Sequence, residues 1–279
     1  MKLVEHDISD SDHEHVSTCT STLYADNHFL NNPNNFVGGK ISRFLSNWEN
    51  ITSDPWILNI IRGYRIEFEQ LPRQCNIPKE LIFNDEETIH VQQEIEKFLV
   101  KKIIQPAVET PFQYISNIFV RPKKDGSYRV ILNLKHLNTD IEHHHFKMDT
   151  FQTALTYVSN NCWFGSVDLK DAYYSVNIDE RDRKFLRFYW NNVLYEYTCM
   201  PNGLTTAPRI FTKILKVVFS ELRKRGYINI GYIDDSLLVS QSYHECQKNI
   251  NETVSLLDNL SFTIHPDNQF CNLLRLLFF

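Results

Sequence analysis

The sequence predicts an α+β fold whose main layer is a ferredoxin-like βαββαβ arrangement, one sheet with its helices on one side. Three observations carry that expectation. A short apolar strand at 162–167 is followed by a long helical period through Ile210, Phe211, Ile214, Leu215, Val218 and Leu222. Two β-prone runs, 227–233 and 236–239, then read as a hairpin joined at Asp234-Asp235. A helix capped by Ser242 and a last strand near 262–265 complete the order, with no internal repeat.

The remaining segments follow along the chain. Residues 1–35 are polar, without periodic apolar positions, and hold six acidic residues (Glu5, Asp7, Asp10, Asp12, Glu14, Asp26) against Lys2, so they read as a disordered acidic tail. That tail accounts for the formal net charge of -5, and the rest is close to neutral. From Gly38 to about Ile82, aromatic residues among polar ones, broken by Pro55, Pro72 and Pro78, read as an arm packed on something larger. Asn84 with Glu87 three residues on is a capping-box signature, and Val91, Ile95, Phe98 and Leu99 continue it as a helix over about 85–103. Runs at 116–121 and 128–132 flank Lys123-Lys124-Asp125-Gly126, a hairpin with a basic tip. The strand at 162–167 ends on Asp168, and Asp171-Ala172-Tyr173-Tyr174 forms a compact turn or short helix after it. Gly226 reads as the C-cap of the helix after Pro208, and Cys246, Ile250, Val254 and Leu257 mark one face of the helix after Ser242.

Composition excludes several classes. The 279 residues are 42% hydrophobic, enough for a sizeable core. Six dispersed cysteines without a C-x-x-C pair argue against a zinc knuckle or a disulfide framework. No apolar run approaches the ~18 residues of a membrane span, and the acidic start is unlike a signal peptide. An intracellular protein, cytoplasmic or nuclear, without a membrane partner, is expected. His143-His144-His145 invites a metal reading, but three consecutive residues on a regular strand cannot all face one ion.

Chemistry concentrates in carboxylates. Asp234 and Asp235 stand side by side between Ile228, Ile230, Ile233, Leu237, Leu238 and Val239, where mutual repulsion is costly unless compensated. A divalent cation compensates it. Alternate strand residues face opposite ways, so one of the pair can face the metals while the other lies to the side. With Asp168 on the neighbouring strand, it and Asp234 can bridge two Mg²⁺ ions about 3.5–4 Å apart, the clamp for in-line phosphoryl transfer. The plain alternative is a turn dipeptide at a hairpin tip. Against it stand three ordered neighbours: the basic hairpin, Asp168 with Tyr173 five residues on, and Pro201-x-Gly203-Leu204-x₃-Pro208.

Val167-Asp168-Leu169-Lys170-Asp171-Ala172-Tyr173 and Tyr232-Ile233-Asp234-Asp235 resemble the two catalytic motifs of the reverse transcriptase family, and the likeness runs from about Gly38 to the carboxyl end. The resemblance implies a polymerase palm with a fingers subdomain: arm 36–84, fingers 85–160, and palm 161–279 with a second fingers insertion about 176–207. It makes Asp168, Asp234 and Asp235 the catalytic, metal-binding carboxylates, with two Mg²⁺ ions, or Mn²⁺ in their place. Tyr173 falls at the family's steric gate, where a ring under the sugar clashes with a ribose 2′-hydroxyl; the alternative is one more core aromatic beside Tyr174. Asp171, Ala172, Asn202 and Gly203 would lie against the incoming nucleotide, with Gly203 permitting close backbone approach. Lys123 and Arg129 would hold its triphosphate, arginine through its planar fork; the alternative is a solvated basic turn. The implied partners are an RNA or DNA template with primer and a dNTP, and the sequence does not address the oligomeric state. The flank Gly38-Gly39-Lys40, Thr52-Ser53-Asp54-Pro55-Trp56 and Gly63-Tyr64-Arg65-Ile66-Glu67-Phe68 is similar to that of DIRS-type retrotransposons, with a gypsy-type element as the second reading.

Two positions depart from the family pattern. Asn202 stands where the retroviral enzymes have glutamine, and Asn268 where a lysine that protonates the leaving pyrophosphate is expected. Thumb and ribonuclease H segments are not seen, which reads as a C-terminally truncated copy. General acid assistance is worth about 10²–10⁴-fold in rate, so weak primer extension by this chain is expected. The competing reading is an inactive remnant or co-opted nucleic-acid-binding module; a two-metal nuclease leaves Tyr173 and the basic hairpin without a role.

Overall fold

A computed structural model describes residues 36–122, 128–148, 156–159 and 162–265 and the backbone of 270–273. The tail 1–35, the hairpin tip with Lys123, and Asn268 lie outside the described residues.

The arm is more regular than its composition suggests. A 3₁₀ turn (Lys40–Phe44) leads into α1 (Leu45–Glu49) and α2 (Pro55–Arg62). The start of α2 is locally encoded: the Asp54 carboxylate accepts the Trp56 N–H at 2.9 Å, and Pro55 occupies the first turn. Trp48, Ile57, Ile60, Ile61 and Tyr64 are buried, and Trp48 meets Phe262 edge to face at 5.9 Å. The arm is thus core, not cover.

Helix α3 (Asp85–Val100) starts on the expected capping box, with Asn84 accepting the Glu87 N–H at 2.8 Å and Glu87 accepting the Asn84 N–H at 3.1 Å. Next come β1 (Ile104–Pro106) and the hairpin of β2 (Ile118–Pro122) with β3 (Tyr128–Leu132). After β4 (Trp163–Lys170) and the single turn α4 (Glu180–Arg183), strands β5 (Arg187–Trp190) and β6 (Val193–Tyr197) form a hairpin joined to β1 in a three-stranded sheet, order β1-β6-β5. Its turn is Asn191-Asn192, both at positive φ (48 and 62), as a primed two-residue turn requires.

The main layer has the expected order. Helix α5 (Ala207–Lys224) closes with Gly226 at φ 89, the Gly226 N–H donating to the Arg223 carbonyl and the Tyr227 N–H to that of Leu222. Strands β7 (Ile228–Tyr232) and β8 (Asp235–Ser240) form the hairpin, followed by α6 (Tyr243–Asn259), β9 (Thr263–Ile264) and β10 (Phe270–Leu273). The sheet runs β10-β4-β8-β7, with β9 also on β4, so β9-β4-β8-β7 reproduces the antiparallel ferredoxin-like order. Helix α5 lies on β7 and α6 on β4 and β8. Among the described residues no helix is long and apolar enough to cross a membrane.

Two expectations need correction. Strand β4 does not end on Asp168 but runs to Lys170, because β9 pairs with Leu169 and Lys170. The turn of the second hairpin is Ile233-Asp234, with Asp235 already in β8 opposite Tyr232. The inner face of α6 carries Cys246, Ile250 and Leu257 with Val254 partly buried against the core, as expected, and also holds Asn249 and Thr253. These last two bond the buried Asn229 (Asn229 Nδ2 to Asn249 Oδ1 3.0 Å, Thr253 Oγ1 to Asn229 Oδ1 3.1 Å), a satisfied polar network beside the apolar positions.

Gly231 sets how closely α5 approaches the hairpin, because a Cβ there would stand inside the ring of Phe219. Gly231→Ala is expected to destabilise the chain by about 2 kcal/mol, as overpacking does. Urea unfolding checks this, and Phe219→Leu in the same chain should return part of the loss.

Candidate active site

The site begins with strand register. Asp168 of β4 lies directly opposite Asp235 of β8, so both side chains leave the same face of the sheet. The Asp168 carbonyl accepts the His265 N–H at 2.9 Å, and the Asp234 carbonyl accepts the Leu169 N–H at 3.0 Å, which binds the turn onto β4. Ile233 takes φ 60, a conformation that costs a β-branched residue on the order of 1–3 kcal/mol. Its partly buried side chain packs on the main core and offsets some of that cost.

This conformation turns the Asp234 carboxylate into a cleft of about 260 Å³. Its lining includes Asp171, Ala172, Tyr173 and Tyr174, Arg129 and Val130 of β3, and Asn202 and Ile233. Glu94 and Phe98 of α3 also line it, and periodicity does not mark either as functional. The half-buried Tyr173 ring packs edge to face on Phe211 at 5.6 Å while facing the cleft. Asn202 donates to the Tyr174 hydroxyl at 3.1 Å. Gly203, at φ 103, does not line the cleft; a Cβ there would meet the Leu132 carbonyl at 2.9 Å, so its bare Cα serves the approach of β3. Asp171, at φ 54, is held by Lys101 at 2.6 Å. Tyr232 is exposed beside the turn.

Electrostatics connect these groups. Partial loss of water raises the Asp234 carboxyl, and Asp168 raises it further, while Arg129 opposes the shift. Asp235 is raised by loss of water and then by Asp234 and Asp168. Loss of water pushes the Tyr173 hydroxyl up to about 12, with Asp234 and Tyr232 adding to it. Among the described residues no three His, Cys, Asp or Glu side chains converge tightly enough to enclose one ion. The donors instead form an open carboxylate edge. That suits Mg²⁺, which usually binds one or two carboxylates and takes its other ligands from water and substrate phosphates. His144 lies elsewhere, paired with Glu67 at 3.1 Å and Glu142 at 3.4 Å.

A pH dependence follows. Asp234 and Asp235 have higher pKa values folded than unfolded, so without metal the fold binds their protons more tightly and loses stability as pH rises through the raised values. The double variant Asp234→Asn/Asp235→Asn should match the wild type in acid and melt higher at neutral pH. Added Mg²⁺ should narrow that gap, and calorimetric melts across pH check both points.

A family model described as reverse transcriptase (RNA-dependent DNA polymerase) matches residues 121–268, more than half of the chain. The chain belongs to the reverse transcriptase family. This reverse transcriptase chain is 22% identical over 244 residues to the retrovirus-related Pol polyprotein from transposon 412 of Drosophila melanogaster, over 80% of the chain and 19% of that relative. It is 27% identical over 144 residues to the transposon Tf2-3 polyprotein of Schizosaccharomyces pombe, over 52% of the chain and 11% of that relative. It therefore spans a fifth or less of the curated relatives it matches. Among solved structures, prototype foamy virus protease-reverse transcriptase shares the fold, with a TM-score of 0.60, 18% identity, and coverage of 74% of this chain and 26% of that one. The fold is therefore that of a reverse transcriptase polymerase, with the ferredoxin-like layer as its palm.

Proposed function

We propose that the chain carries out template-directed DNA synthesis from dNTPs in the replication of a retrotransposon, on an RNA or DNA template with primer. The observation that carries this reading is the cleft itself. It brings Arg129, Asp171, Ala172, Tyr173, Asn202 and Asp234 together from four separate stretches of sequence, beside the facing pair Asp168 and Asp235. In this reading Arg129 binds the triphosphate, Tyr173 excludes a 2′-hydroxyl, and Asp168, Asp234 and Asp235 hold the metals. Two Mg²⁺ ions, or Mn²⁺, bound there supply activation of the primer 3′-hydroxyl and charge stabilisation on the leaving group. Lys123 joins Arg129 at the triphosphate, and Gly203 shapes the neighbouring loop. We divide the chain into an arm (36–84), fingers (85–160, with a second insertion about 176–207) and palm (161–279). The likeness of the Gly38–Phe68 flank to DIRS-type elements supports that placement, with gypsy-type next.

Triphosphate binding tests the reading. Mg²⁺-dependent dNTP binding that requires Asp168 and Asp234 is the expected result. Template binding with no such triphosphate site would instead identify a non-catalytic nucleic-acid module.

A further inference from the structure

Lys40 is the least expected charge in the structure. It lies in the arm and is only 9% exposed, and its ammonium donates to the Thr263 hydroxyl of β9 at 2.7 Å. Among the described residues no carboxylate is within ion-pair distance of it. Burying an ammonium against one hydroxyl is costly, and such groups collect where a function requires them. Its surroundings point toward the cleft. The Lys40 and Lys101 ammonium groups lie 5.6 and 5.5 Å from the Phe36 ring centroid, and Lys101 holds Asp171, which lines the cleft. The adjoining backbone is locked as well: the Gly38 N–H donates to the Lys101 carbonyl at 2.7 Å, and the Gly39 N–H to that of Tyr174 at 2.8 Å.

We propose that Lys40 is a positioning residue for the polyphosphate of the incoming nucleotide, its positive charge delivered by the arm to offset Asp171 in the cleft lining. This rests on the polymerase reading above. Asp171 alone would repel a triphosphate arriving at Ala172, and the two cations around Phe36, set against Asp171 and Asp258, cancel that repulsion. The charged groups acting on Lys40 are Asp258 at the end of α6 and Asp171 after β4, with Lys101 of the α3 cap across the Phe36 ring; Thr263 of β9 is neutral. Burial lowers Lys40 to about 8, and both carboxylates oppose that fall. The ammonium, and with it that offset, is therefore lost in mild alkali.

The test is dNTP binding to the chain with saturating Mg²⁺, measured from about pH 7 to about pH 9.5, across the loss of the Lys40 proton. Wild-type Kd should rise about tenfold over that range, the size of a single near-charge effect. Lys40→Arg, which cannot lose its charge, should bind evenly throughout, and Lys40→Met should bind weakly throughout. The deficit should be smaller for a deoxynucleoside monophosphate and absent for template-primer. A flat wild-type profile, or triphosphate binding by folded Lys40→Met equal to wild type, overturns the proposal alone. Should Lys40→Met not fold, the wild-type series and Lys40→Arg decide. If the wild type binds no triphosphate at any pH, the polymerase reading falls and the proposal with it.

Discussion

Asp234→Asn is expected to lower the Mg²⁺-dependent primer extension of this chain by about 10³-fold, the scale of removing one group that stabilises transition-state charge. The substitution is nearly isosteric. The turn is set by the backbone, through Ile233 at φ 60 and the Asp234 carbonyl on the Leu169 N–H, and neither needs the carboxylate. What is lost is negative charge at the point where the cleft meets Asp168 and Asp235. The folded chain should survive and melt at least as high without metal, since a repulsive neighbour has been removed. Extension on an RNA template with labelled primer measures the loss, and Mg²⁺-dependent dNTP binding serves if extension is weak. Undiminished extension by the variant would remove Asp234 from the chemistry.

Tyr173→Ala is the second large effect. The ring packs edge to face on Phe211 and lines the cleft with Ala172 and Asp234, so on the proposed reading it would limit what fits under the sugar of a bound nucleotide. Truncation opens that space, and discrimination against ribonucleotides is expected to fall by about 10²-fold, the scale on which a pocket rejects an added hydroxyl. Tyr173→Phe keeps the ring and should keep discrimination. Competition between a dNTP and the matching rNTP in single-nucleotide extension reads this. The alanine variant also loses its contact with Phe211, worth about 0.5–1.5 kcal/mol, so its melting temperature should be compared alongside. Equal discrimination by Tyr173→Ala and wild type would return Tyr173 to a core role.

Legibility differed by element. Helix α3 was readable because its cap and its apolar spacing are local, and α5 because Gly226 must take a left-handed conformation at its end. The main-layer order was readable because period 3.6 and period 2 alternate cleanly through it. Helix α2 was missed although Asp54-Pro55 is a start signal, since aromatic composition masked it. The β1-β6-β5 sheet was missed because its strands are short and β1 is distant in sequence; the Asn191-Asn192 turn was the available cue.

The sequence alone determined which residue types carry the chemistry. A paired acidic turn, a distant strand aspartate and a tyrosine five residues on mark, through residue identity and spacing, the metal and nucleotide site proposed above. Three things depended on tertiary packing. Whether Asp168 faces Asp235 is a matter of strand register, which β8 and β9 set from both sides of β4. Whether Arg129 reaches Asp234 depends on how β3 sits over the palm, and Gly203 allows that approach. The placement of Lys40 beside Thr263, 223 residues away, exists only because the arm is buried in the core. Local signals mark each group, but a cleft is a relation between elements remote in the chain, and burial energy decides that relation.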